Sequence, residues 1–137
     1  MEKHWVLSDR EFENQFKNCE LDASVFSHEA HLRIAWIYIQ KYGIEKAISK
    51  IQEELKSFVA YLGAQDKYNT TLTIAAIKAV YHFILKSQSD NFKNFIVEFP
   101  RLKYNFKELM NSHYKIDIFN SEKAKKEFLE PDLLAFD

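Results

Sequence analysis

Between Gly43 and Gly63, the only two glycines in the chain, apolar residues return every three or four positions: Ile44, Ala47, Ile48, Ile51, Leu55, Phe58, Val59 and Leu62. That spacing draws one apolar stripe along a helix and does not fit the two-residue alternation of a strand. Glu45, Lys46, Lys50, Glu53 and Glu54 fall on the other side and form its solvated face. A glycine at each end is the expected stop.

The same grammar extends in both directions. Ser8 with Glu11 three residues later has the capping-box form, and Phe12 and Phe16 follow at helical spacing, so a first helix is expected from about Asp9 to Asn18. Ser27 can cap a second helix that runs through Trp36 and Tyr38 to Tyr42; with apolar residues on nearly all sides, it is expected to be the central one. Asn69 or Thr70 can start a fourth, with Leu72, Ala75, Ala76, Ala79, Val80, Phe83 and Ile84 apolar and Lys78, His82 and Lys86 as its polar line. A fifth is expected from about Asn91 to Glu98, stopped by Pro100, with shorter turns around Asn105 to Asn111 and from Ser121 to Leu129 before Pro131. No internal repeat, low-complexity tract or linker interrupts the 137 residues, and Ser87 to Asp90 is too short to divide them. The expectation is all-α: one domain spanning residues 1–137, a bundle of about five to seven helices.

Charge and cysteine content exclude several classes of function. Nineteen basic residues against 20 acidic ones leave no electrostatic footprint for nucleic acid, and no basic amphipathic helix suggests a membrane surface. The longest purely apolar run, Ile34 to Ile39, is about a third of the 18–20 residues needed to cross a bilayer. The single cysteine, Cys19, has no partner for an internal disulfide, and the first residues lack a signal-peptide pattern, which reads as a cytoplasmic protein. There is no phosphate-binding glycine loop, nucleophile elbow or paired-cysteine zinc motif. His28-Glu29-Ala30-His31 is one residue too short for a zincin helix, and the glutamates needed for a di-iron bundle are missing.

The chemistry that remains centres on His28 and His31, three apart at the start of the second helix and so on one face. Two imidazoles at a helix start can bind a metal, share a proton or grip an anion. Arg33 calls for an acid from another helix or an anionic ligand. Trp36, Tyr38, Tyr68 and Tyr114 suit either an aromatic pocket or the core, and Asn69 and Thr73 suit either a ligand or helix capping and backbone bonding. No nucleophile with an adjacent base stands out, so no catalytic residue is assigned and the chain is not committed to being an enzyme.

Phe26, His28, His31, Leu32, Arg33, Ala35, Trp36 and Tyr38 match a Phe-x-His-x-x-His-x-Arg-x-Ala-Trp-x-Tyr pattern. On that block the chain resembles a family of small bacterial all-helical proteins of uncharacterised activity. The likeness extends over nearly the whole length, through Pro100, Leu102, His113-Tyr114, Ala124, Phe128 and Pro131-Asp132. The family's second motif, Tyr-His-Glu-Thr, reads Tyr68-Asn69-Thr70-Thr71 here. If relatives bring that histidine and glutamate toward the first pair, they would hold a three-histidine metal centre with an acid or base. Asn69 is a much poorer ligand for zinc or iron and Thr70 cannot serve as a carboxylate base, so a complete catalytic metal site here would need a substitute from His82, His113, His4 or Glu29.

The leading expectation is a histidine-lined pocket for a small anionic ligand, between the starts of the second and fourth helices, formed by His28, His31, Tyr68, Asn69 and Thr73, with Arg33 and His113 as further members. One alternative is a metal-dependent enzyme with a divalent metal on His28 and His31 and a third ligand from His82 or His113. Another is a non-enzymatic scaffold or interaction protein, such as a homodimer, in which the histidines are structural.

Overall fold

Eight α-helices and three short 3-10 turns account for the regular structure in the computed structural model, which describes residues 1–136; no strand occurs among the described residues. The chain is all-α, as its periodicity requires. It falls into two compact units, the first spanning Met1–Tyr68 and the second beginning at Asn69.

In the first unit, a 3-10 turn at Lys3–Val6 precedes α1 (Asp9–Lys17), whose capping box is complete: Ser8 accepts from the Glu11 N–H and Glu11 from the Ser8 N–H. A second 3-10 turn at Ala23–Val25 leads to α2 (His28–Tyr42), where the Ser27 hydroxyl oxygen accepts from the Ala30 N–H at 3.2 Å. Next come α3 (Ile44–Tyr61) and a last 3-10 turn at Gln65–Lys67. α2 packs against α1 and α3, and Phe12, Phe16, Leu32, Ile34, Tyr38 and Phe58 are completely or almost completely buried. Phe16 gathers the rings of Phe26, Phe58 and Tyr38 at 5.2, 5.8 and 6.4 Å.

Gly43 alone separates α2 from α3. Its N–H closes α2 on the Ile39 carbonyl and its own carbonyl opens α3 to the Ala47 N–H, both at 2.9 Å. Reversing the chain within one residue requires φ +84° and ψ 165°, a region that side chains avoid.

The second unit starts with α4 (Thr70–Ile84), capped by Asn69, and continues with α5 (Phe92–Glu98), α6 (Arg101–Tyr104), α7 (Phe106–His113) and α8 (Glu122–Lys126). α8 packs on α4. Eight helices slightly exceed the five to seven expected, because two stops act close together. Pro100 ends the run from α5, and Asn105, at φ −128°, breaks α6 from α7 after a single turn. The C-terminal segment folds back within this unit. Thr71 Oγ1 donates to the Glu127 carbonyl at 2.7 Å and accepts from the Leu129 N–H at 3.0 Å, and the Tyr114 hydroxyl donates to the Leu129 carbonyl at 2.8 Å. Among the described residues, no helix is long and apolar enough to cross a membrane.

A Cβ placed on Gly43 meets no atom within 4 Å, so alanine there carries a backbone cost alone. Gly43→Ala is expected to lower stability by about 1–3 kcal/mol, read as a lower denaturation midpoint at unchanged slope; an unchanged midpoint would show that the α2–α3 junction does not depend on glycine.

Candidate functional site

The first two turns of α2 sort their polar residues by face. Glu29 and Arg33, four apart, point inward and are each 4% exposed, while His28 and His31, three apart, are exposed. A polar pair buried this deeply needs partners. They come from the N-terminal 3-10 turn, which lays a fully buried His4 between them. One ring nitrogen, Nε2, lies 2.6 Å from a Glu29 carboxylate oxygen, and the other, Nδ1, lies 3.2 Å from an Arg33 amino nitrogen.

Arg33 spends all five of its N–H donors here. Nε and one amino group donate to Asp9 at 3.2 and 2.9 Å, and that amino group also donates to the Leu7 carbonyl at 2.8 Å. The second amino group donates to the His4 carbonyl at 2.7 Å and to His4 Nδ1. Its guanidinium carbon sits 5.2 Å from the Trp5 ring centre and 5.0 Å from that of Phe12, so flanking aromatic rings compensate part of its lost hydration. Guanidinium nitrogens only donate, so His4 Nδ1 must accept and the ring proton belongs on Nε2, facing Glu29.

Glu2 completes the cluster. Its carboxylate accepts from the Ser27 hydroxyl and lies 3.8 Å from His4 Nε2. The candidate ligand atoms of Glu2, His4 and Glu29 are all within 4.8 Å of one another, a group that can hold a metal ion. His28 and His31 stand outside it. His31 is exposed, but one face of its ring lies on Phe26, with centroids 3.8 Å apart and planes 20° off parallel. Loss of water from that covered ring, with His28 adding to it, holds the His31 pKa below the usual histidine value.

The other residues singled out from sequence have the following surroundings. Tyr68 is half-buried, its hydroxyl 3.4 Å from the Gln52 side-chain oxygen and its ring under the Lys56 ammonium at 5.2 Å. In the second unit, Asn69 accepts from the Leu72 N–H at 2.9 Å and donates to the Ile118 carbonyl at 2.8 Å. Thr73 donates to the Asn69 carbonyl at 2.7 Å. His113 is buried, donates from Nδ1 to the Leu134 carbonyl at 2.7 Å and stacks on Phe136 at 4.0 Å. His82 is half-buried with its ring 5.3 Å from Phe83. Trp36, Tyr38 and Tyr114 are buried.

A second polar network ties α1, α2 and α3 together. The buried carboxylate of Glu13 accepts from the Tyr42 hydroxyl at 2.5 Å and from Lys41 at 3.1 Å, while Tyr38 donates to Glu54, which Lys50 approaches at 3.5 Å. Burial alone pushes the Glu13 carboxyl up, but the Tyr42 and Lys41 hydrogen bonds outweigh it and hold the pKa below the usual range. Burial and the Glu54 carboxylate both push the Tyr38 phenol up.

The sequence named His4 and Glu29 only as substitutes, and Glu2 not at all. Glu29 with Arg33 at four-residue spacing was the available clue; His4 meets those two across 25 and 29 residues, which no local pattern reports. No protein-family model matches this chain, and no curated protein or solved structure is significantly similar to it.

Replacing Arg33 by Met removes its bonds to the Leu7 carbonyl, His4 Nδ1 and Asp9 and leaves the His4 carbonyl with the Leu7 N–H, and is expected to cost about 2–5 kcal/mol. Asp9→Ala removes only the half-exposed partner and is expected to cost about 1 kcal/mol or less. Equal losses in denaturant titrations of the two variants would contradict this division.

Proposed function

We propose that this chain is a metal-binding helical protein that holds a divalent transition-metal ion on Glu2, His4 and Glu29. The observation that carries the reading is the mutual reach of three ligand atoms, two of them on buried side chains. One imidazole nitrogen with two carboxylate oxygens is a donor set for zinc and its first-row neighbours rather than for calcium, which takes six to eight oxygens. Three protein ligands leave a fourth tetrahedral position open, and there a small anion or a water would bind.

Metal on Nε2 requires the ring proton to move to Nδ1, where Arg33 now donates. Binding would therefore break the Arg33 contact with Nδ1 and the hydrogen bond from Nε2 to Glu29, while the same Arg33 amino group keeps its shorter bond to the His4 carbonyl. A second reading rests on the exposure of His28 and His31: these imidazoles bind a small anion without metal, and the buried cluster only anchors the helix that displays them.

Elemental analysis and zinc calorimetry on tag-free protein separate the readings. Zinc is expected to bind stoichiometrically, with at least about tenfold weaker affinity in Glu2→Gln, a partly exposed position that folding tolerates, and unchanged affinity in His28→Gln/His31→Gln. Loss of zinc only in the double variant would move the metal to the exposed pair. No zinc binding in any form, with phosphate raising the melting temperature of wild type alone, would favour the metal-free anion site.

A further inference from the structure

We infer, resting on the metal reading above, that occupancy of this site governs the docking of the N-terminal segment, residues 1–7, onto α2. The three ligands are unequally distributed. Glu2 and His4 come from the segment itself, and Glu29 comes from α2. A metal shared among them closes a loop across 25 residues, so the ion cannot be fully bound unless the segment is in place.

The segment has little regular structure of its own, and its docking rests on contacts with its surroundings. Its regular structure is one 3-10 turn of four residues, without a side-chain cap at Glu2. Met1 and Val6 are exposed, and Trp5 and Leu7 are partly exposed. Its ties to the rest of the unit include the buried bond between His4 and Glu29, the Arg33 bonds to the His4 ring and to the His4 and Leu7 carbonyls, the Trp5 ring beside the Arg33 guanidinium, the Ser27 bond to Glu2, and an exposed bond of 3.2 Å from Lys3 to Ser24. Hydrogen bonds each contribute modestly to net stability, and opening of a folded chain concentrates at its ends. A ligand that binds only the docked form multiplies the docking equilibrium by 1 + [metal]/Kd, about 100-fold at a free metal concentration 100 times Kd. Metal would thereby hold the docked segment more tightly, and its removal would let the segment open more often.

The Leu7 amide is the natural reporter, because its N–H donates to the His4 carbonyl at 3.1 Å and is lost when the turn opens. Amide exchange by NMR, with calorimetry in parallel, tests the inference on the full chain with zinc alone as the probe. Zinc at a concentration that saturates the wild type is expected to slow exchange at Leu7 by tenfold or more and to leave the Ala47 amide of α3 unchanged; in Glu2→Gln at the same zinc concentration, the slowing at Leu7 is expected to be smaller and Ala47 again unchanged. If calorimetry shows zinc binding while Leu7 exchanges at its metal-free rate, or if Leu7 and Ala47 slow by the same factor, the coupling is wrong although the metal site stands. If calorimetry shows no binding, the metal site and the coupling fall together.

Discussion

A guanidinium buried four residues after a buried carboxylate is the constraint around which the first unit is arranged. Arg33 sits inside the helical packing with 4% of its surface exposed and cannot shed its charge, so each of its donors must find an acceptor on neighbouring chain. Asp9 at the start of α1, the carbonyls of His4 and Leu7, and the His4 ring provide them. Three stretches with little regular structure in common are thereby fixed to one point of α2. The Trp5 and Phe12 rings both lie close to the same group, which couples the apolar packing of α1 to the polar packing of the N-terminal turn.

From that arrangement the chemistry of the candidate site follows. Arg33 determines which nitrogen of His4 accepts and which carries the proton, and so it orients the Nε2 side of the ring toward Glu29 and Glu2. A metal on Nε2 would call for the opposite tautomer from the one that the Arg33 donor favours, so this contact would oppose metallation of His4.

How much of this was readable from the residues depended on range. Gly43, Gly63, Ser27 and Asn69 mark their helix ends through local chemistry, and α2, α3 and α4 lie where those residues place them. The region after Pro100 is harder because Asn105 gives no periodic signal before it breaks the chain, and α8 ends at Lys126, three residues before the Leu129 at which the turn before Pro131 is expected to end. His28 and His31 drew notice because three-residue spacing is visible in a string of letters. Glu29 and Arg33 have an equally visible spacing, but the burial that gives them meaning arises only when residues 1–9 fold back over α2. His4, in turn, has no sequence neighbour that hints at its role.

The most direct test of this account is the tautomeric state of His4 in the metal-free protein, read from the nitrogen-15 shifts of its two ring nitrogens. Arg33 donating to Nδ1 predicts a proton on Nε2 and a bare Nδ1 in the wild type, with that preference lost in Arg33→Met. A wild-type ring carrying its proton on Nδ1 would mean that Arg33 does not hold His4, and the account built on that contact would fail.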